Sequence, residues 1–263
     1  LANERDKIAL VTGAASGIGR ATALRLIEEG WDGIALVDRD AALLDDAATE
    51  VAKLGGKALK LVADLNDLAR VARLVDETVA GLGRIDTVVN CAAIARPAIA
   101  VVDYDTDKFT QDLNVNLTAG FVIARDAARA MIAAQRPGAI VFIASINAQG
   151  AGVGSVGYCA SKAGVVALMK VLAAELGDHG IRVNSVSPGP TDTPRSVGRV
   201  GETVMERLRE RFDGAALRRL GHAREIADAV VYLSSERSSY VSGHDLVVDG
   251  GLMASVYIAA KKE

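Results

Sequence analysis

Tyr158 and Lys162 stand four residues apart, and from Ala160 the chain runs Ala-Ser-Lys-Ala-Gly-Val-Val-Ala-Leu-Met-Lys-Val-Leu-Ala-Ala-Glu-Leu, an alanine-rich helical pattern. Residues so spaced share a helix face, so the phenol and the ammonium point the same way. A free tyrosine titrates at about 10, and a nearby cation favours its phenolate. The pair therefore predicts a proton donor and acceptor that works near neutral pH. A bare Tyr-x-x-x-Lys is also what a helix with one aromatic and one solvated lysine shows, so the rest of the chain has to decide.

Ile8 to Thr12 is an apolar run without alternation, which is how a strand buried on both faces reads. Gly13-Ala-Ala-Ser16-Gly17-Ile18-Gly19 follows, and a helical pattern then opens, with Ala21, Leu24 and Ile27 in step and a stop at Gly30. Strand, glycine turn and helix are the context of a phosphate-binding turn. Glycines at 13, 17 and 19 let the backbone approach a pyrophosphate, and the helix N-terminus offers free N–H groups. The next strand, Gly33 to Asp38, ends in a carboxylate nineteen residues after Gly19. There it suits the two hydroxyls of an adenosine ribose and repels a 2′-phosphate. The one literal Gly-x-Gly-x-x-Gly, at Gly152, Gly154 and Gly157, lies well after its nearest strand end at Ser145 and reads as a flexible loop.

The alternation continues. Helices are predicted over 41–54, 65–82, 109–134, 158–176 and 226–233, and strands over 57–63, 85–90, 139–145, 181–187 and 245–248. Alternating strands and helices mean right-handed crossovers and a parallel sheet covered on both faces. No linker or repeat interrupts them. The expectation is an α/β chain: one Rossmann domain over 1–263, with a doubly wound parallel sheet of about seven strands. The segment 190–221 breaks the rhythm and is rich in arginine (195, 199, 207, 209, 211, 218 and 219). It reads as a small helical substrate lobe over the carboxyl ends of the strands.

The totals narrow the function. Half of the 263 residues are hydrophobic, 24% are charged, and the net charge is −3, which gives no footprint for nucleic acid or an anionic membrane. No run of about 18 apolar residues predicts a membrane span. Cys91 and Cys159 form no disulfide framework, and the three histidines have no ligand spacing, so no metal is expected. Reduced thiols and a polar opening from Leu1 to Lys7, unlike a signal peptide, predict a cytoplasmic protein.

Thr12-Gly13-x-x-x-Gly17-x-Gly19, Tyr158-x-x-x-Lys162 and Asp249-Gly250-Gly251, in this order from Ile8 to Gly251, resemble the short-chain dehydrogenase/reductase family in its shorter, single-domain branch. The resemblance implies a catalytic group of Asn116, Ser145, Tyr158 and Lys162. Ser145 precedes the tyrosine by thirteen residues, and Asn116 lies in Asn-Val-Asn-Leu of the long helix. It also implies a cofactor shell. Ile18 packs beside the adenine side, Asp64 with its neighbour Leu65 contacts the adenine, and Asn90 and Ala92 follow the fourth strand. Pro188, Gly189, Thr191 and Thr193 lie beside the nicotinamide. Asn90-Cys91-Ala92-Ala93 departs from the family's Asn-Asn-Ala-Gly at two positions, which puts local backbone geometry in question.

The implied activity is interconversion of a secondary alcohol and its ketone by hydride transfer, with Tyr158 as acid/base, Ser145 holding the reacting oxygen, and Lys162 also holding the nicotinamide ribose. In the same way Asn116 bends its helix and positions a water leading from Lys162 to solvent. The alternative is a catalytically silent NAD-binding sensor or scaffold. A serine hydrolase fails, because no Gly-x-Ser-x-Gly surrounds Ser145. Each residue has a plainer use: Ser145 as a backbone cap, Asp38 and Asp64 as N-caps of the helices that follow. Asp38, with Ser16 where the family often carries a base for a 2′-phosphate, predicts NAD. Arg39 argues the other way. Ile94, Arg96, Ile146, Asn147, Gln149, Val153 and the lobe are the expected substrate pocket, mostly apolar or amide, which favours a hydrophobic or cyclic alcohol. Arg96 and the lobe arginines allow a carboxylated or phosphorylated substrate, but the run is expected to be a solvated face. Relatives of this kind form homodimers or homotetramers through the two long helices, where Ala163, Gly164 and Ala167 would permit close packing. The apolar tail after Gly251 is expected to pack on a neighbouring subunit.

Overall fold

Residues 6–254 are described by the computed structural model. The chain runs β1 (Ile8–Thr12), α1 (Gly17–Glu28), β2 (Gly33–Asp38), α2 (Ala41–Lys53), β3 (Lys57–Val62), α3 (Leu68–Val71), α4 (Leu74–Leu82), β4 (Thr87–Asn90), α5 (Thr106–Leu113) and α6 (Ala119–Ala133). It continues through β5 (Gly138–Ile143), α7 (Val156–Leu176), β6 (Ile181–Pro188), β7 (Thr191–Asp192), α8 (Pro194–Val200), α9 (Glu202–Glu210), β8 (Gly221–His222), α10 (Ala223–Ser234) and β9 (Asp245–Val248).

Seven strands form one parallel sheet in the order β3-β2-β1-β4-β5-β6-β9. The unbroken apolar run of β1 is what a central strand needs. Leu10 turns to one core with Leu74, Ile123 and Met169 of α4, α6 and α7, while Ala9 and Val11 turn to the other with Leu26, Leu44 and Val230 of α1, α2 and α10. The chain reverses direction across the sheet between β1 and β4. A cleft opens there at the carboxyl ends of the strands, where open α/β sheets bind ligands. Helix α7 is long and apolar enough to cross a membrane by length and composition, but its Val165, Met169 and Leu172 are buried in the first core.

Two features depart from the sequence expectation, and a third, the bend at Asn116, agrees with it. The helix expected over 65–82 is two, α3 and α4, with Asp67 accepting from the Ala69 and Arg70 N–H groups at the head of α3. Asp40 and Asp67, rather than Asp38 and Asp64, cap the helices that follow, which leaves the latter two carboxylates for the cleft. The long helix carries a π-helical turn over Asn114–Thr118 between α5 and α6. The lobe is α8 and α9, with its two ends tied by the parallel pair β7–β8. Of the apolar tail, 255–263 lies outside the described residues.

Candidate active site

The turn after β1 has the conformation its glycines predict. Gly13 and Gly17 have φ of +68° and +53°, a region L side chains rarely adopt. A Cβ on Gly19 would lie 2.1 Å from the Gly13 carbonyl oxygen, so α1 begins pressed against the turn. Thr12 Oγ1 accepts from the Cys91 and Ala92 N–H groups at 3.0 and 3.1 Å and fixes the β4 loop against the turn. The motif's first residue thus has a structural role that spacing alone did not assign. Ala93, where the resemblance expects glycine, lies outside the positive-φ region, so the substitution strains no backbone.

A cavity of about 500 Å³ opens over this turn, lined by Gly13, Ser16, Gly17, Asp38, Asp64 and Leu65 among others. Arg39 and Ala92 border it as well. The Asp38 carboxylate is fixed by backbone donors, accepting from Ala15 N at 3.2 Å, Arg39 N at 2.7 Å and Asp40 N at 3.2 Å. Arg39 is exposed. Asp64 accepts from Asn66 N at 2.9 Å. A glycine turn at a helix N-terminus, with a tethered carboxylate at the end of the neighbouring strand, fits a dinucleotide: N–H groups for the pyrophosphate, a carboxylate for ribose hydroxyls.

The second cavity, about 290 Å³, is lined by Ser145, Tyr158, Pro188, Gly189 and Thr191 and by lobe residues. Ile18, Ala95, Thr193 and Arg195 border both cavities, so the two form one cleft. Ser145 caps a 3₁₀ turn, its Oγ accepting from Asn147 N at 3.2 Å, which leaves its own O–H to donate. The expected cap and the expected cleft position are thus both occupied. Thr193 caps α8, and Thr191 Oγ1 donates to the Gly189 carbonyl at 2.9 Å.

Behind the tyrosine, Lys162 is 2% exposed. Its Nζ lies 5.7 Å from the Tyr158 ring centroid and donates to the Ile143 carbonyl at 2.5 Å. Burial, aided by the charge on Arg195, pushes its ammonium down to about 7. Lys162 lines neither cavity of the cleft. Asn116 sits in the π turn, where its Oδ1 accepts from Ile94 N at 2.7 Å and its Nδ2 donates to Ile94 O and Ser161 Oγ, each at 3.0 Å. Its amide ties the β4 loop to α7 at the π turn that bends the helix. Asn90 also lies behind the cleft, beside a void of about 10 Å³, and neither atom of its buried amide has a hydrogen-bond partner.

The expected substrate residues divide. Ile146 and Asn147 line the second cavity, whereas Ile94 and Arg96 border the first. Arg96 is already engaged, donating to Asp112 Oδ1 at 3.0 Å and Gln111 Oε1 at 2.5 Å. Tyr104 donates to the same Asp112, and burial together with that carboxylate pushes its phenol up to about 12. Gln149 turns away to Asp245 at 3.0 Å, and Val153 is fully exposed. The loop glycines 152–157 serve packing: a Cβ on Gly157 would meet Asp112 Oδ2 at 2.4 Å. Cys91 is a buried free thiol, pushed up to about 11 by burial.

The arginine run expected to be a solvated face is one only in part. Arg209, Arg211 and Arg219 pair with Asp192, Asp213 and Glu225, and Arg207 and Arg218 are exposed. Arg195 and Arg199 instead line the second cavity. Their position two and six residues after Thr193 was the available signal, and the charge run masked it.

A family model described as enoyl-(acyl carrier protein) reductase matches residues 13–253. The (3R)-3-hydroxyacyl-CoA dehydrogenase of Canis lupus familiaris is 37% identical over 255 residues, covering 94% of this chain and 96% of its own. A solved short-chain type dehydrogenase/reductase from Mycobacterium marinum superposes with a TM-score of 0.88 at 36% identity, covering 96% of this chain and 98% of its own. A solved dehydrogenase of Agrobacterium tumefaciens with bound NADP gives 0.85 at 32% identity, covering 96% and 98%. With the family model matched from 13 to 253 and relatives above 30% identity over nearly the whole chain, the chain belongs to the short-chain dehydrogenase/reductase family, whose members are oxidoreductases that work with a nicotinamide cofactor.

Proposed function

We propose that this protein is an NAD-dependent dehydrogenase that interconverts a secondary alcohol and its ketone. One observation carries the reading: Tyr158 and Ser145 face one cavity that runs without a break into the cavity over the glycine turn, Asp38 and Asp64. When bound, the cofactor supplies the hydride acceptor or donor. In the oxidative direction the alcohol's O–H proton passes to the Tyr158 oxygen as the carbon's hydride leaves. The Ser145 O–H, free because its oxygen is already fixed by Asn147 N, donates to the substrate oxygen. The Lys162 ammonium places positive charge one helical turn behind the phenol, where it stabilises negative charge on the phenolic oxygen.

The tethered Asp38 is the ground for NAD over NADP: three backbone donors hold it in place, while Arg39 is exposed. Pro188, Gly189 and Thr191 border the part of the cleft that holds Tyr158, where the reactive end of the cofactor has to lie. We place the protein in the cytoplasm as a homodimer or homotetramer. Ala163 and Ala167 on the exposed face of α7 allow close approach of a second copy, whereas Gly164 faces inward, where a Cβ would meet Leu117 Cδ2 at 2.8 Å.

Replacing Tyr158 by Phe tests the assignment. Turnover of a panel of secondary alcohols and ketones should fall by about 10² to 10⁴, while NADH binding, read by its fluorescence, stays as it was. Undiminished turnover in Y158F would refute the acid/base role. No turnover by the unaltered protein would favour a silent sensor or scaffold.

A further inference from the structure

The second cavity has an unbalanced lining. Two of its side chains, Arg195 and Arg199, are cationic, and no acidic residue borders it. Both arginines are half-buried, and neither has an ion-pair partner among the described residues. The other lobe arginines either meet a carboxylate at the surface, as Arg209, Arg211 and Arg219 do, or stand in solvent, as Arg207 and Arg218 do; Arg195 and Arg199 do neither. Arg199 is held in place as well as unpaired. Its Nη2 donates to Ser155 Oγ at 2.8 Å, and Ser155 is a buried residue immediately before α7, three positions ahead of Tyr158. The rest of the wall around them is largely apolar, with Ile146, Val200, Met205, Leu208, Phe212 and Leu220. A half-buried guanidinium in apolar surroundings calls for a counter-charge, and oxyanions match its fork geometry.

Resting on the dehydrogenase reading above, we propose that the substrate is an anion: a short carbon skeleton bearing the alcohol or ketone and ending in an oxyanion group, carboxylate or phosphate, that pairs with Arg199. Arg195, at the border of the two cavities, contributes a second positive charge. The volume, about 290 Å³, is at the small end for ligand pockets, and the reactive end of the cofactor takes part of it, so the skeleton must be short. Of the two substrate types the sequence leaves open, this selects the charged one, with an apolar body.

Binding of unreactive probes tests this without any turnover. Hexanoate, hexyl phosphate and hexanamide are titrated calorimetrically into the intact protein, cofactor-free and saturated with NADH. At least one anionic probe should bind tighter than hexanamide by about tenfold or more. Whichever anion binds tighter identifies the end group. Arg199→Met should abolish the preference, Arg199→Lys should keep part of it, and Arg207→Met, on the exposed side of the lobe, should leave it whole. Unchanged thermal melting of each variant guards against misfolding. Hexanamide binding as well as the anions, no detectable binding of any probe, or a preference that survives Arg199→Met overturns the proposal. Neutral ketones would then remain open to the enzyme. Conversely, anion preference without turnover of any keto acid or keto phosphate, or of the matching alcohols, would leave Arg199's role standing and sink the dehydrogenase reading.

Discussion

The floor of the cleft and its roof are built on different principles. In the floor, the turn after β1 and the end of β2, function depends on atoms that are not there: Gly19 has no room for a Cβ beside the Gly13 carbonyl, and the Asp38 carboxylate is held by main-chain donors. In the roof, α8 and α9 with their flanks, the same test at the glycine of α8 finds open space. Gly198, inside α8, has nothing within 4 Å of where a Cβ would go. There the decisive variable is which charges are left unpaired. Regions fixed by packing recognise the common part of a ligand, and regions fixed by charge sorting discriminate among its variable parts.

This contrast can be broken at four points. Gly19→Ala should destabilise the fold by about 3 kcal/mol or more, since backbone rather than a flexible side chain opposes the added methyl. Thermal or denaturant unfolding, with NADH titration, reads it, and a near-neutral result would show that the turn yields. Lys162→Met is next. The folded protein holds this ammonium down to about 7 against a usual 10.5, chiefly by burial. The charged form is thus penalised in full below pH 7, and the penalty fades as pH rises toward 10.5, where the unfolded chain also loses its proton. The variant should therefore abolish turnover yet melt higher than the unaltered, cofactor-free protein below pH 7, by about 1–4 kcal/mol, with the gap closing as pH rises. A gap that widens with pH would contradict the burial argument.

Smaller effects follow. Asp38→Ala should cost NADH affinity by about 1–3 kcal/mol while leaving NADPH binding equal or better, so that the ratio of the two dissociation constants moves at least tenfold. If the unaltered protein already prefers NADPH, the tethered carboxylate is not the selector. The smallest is Gly198→Ala in the roof, expected to stabilise by up to about 1 kcal/mol through helix propensity. The pair Gly19→Ala and Gly198→Ala compares one chemical change in the two regions.

The sequence was most readable where local chemistry and fold agree. Ile8 to Thr12, the glycines at 13, 17 and 19 and the carboxylate at 38 each signal by residue type, and each lies where that signal places it. The break between α3 and α4 is silent because Leu65, Leu68, Val71, Leu74 and Val75 keep helical spacing across it. The sequence reading offers Asp38 as a cap, but Asp40, immediately before the helix start at 41, takes that role by accepting from Leu43 N. The roof was misread for a different reason. Seven arginines in one segment look alike as a charge run, and their division into paired, solvated and cavity-lining groups depends on partners at Asp192, Glu225 and Ser155 that sequence spacing cannot reveal. Gln149 and Val153, expected in the pocket, are turned outward by the loop, which residue type alone does not signal.

The two-residue pair of β7 with β8 has a consequence for how such a protein can be altered. Thr191 and Asp192 lie beside Gly221 and His222, so the intervening chain leaves and rejoins the body at one point. Lengthening a segment anchored this way adds closure entropy only logarithmically, about 0.6 kcal/mol per doubling. An insertion in an exposed part of that segment, away from the Arg199–Ser155 and Leu217–Gly250 hydrogen bonds, is therefore expected to change the cavity wall at little cost to the dinucleotide half.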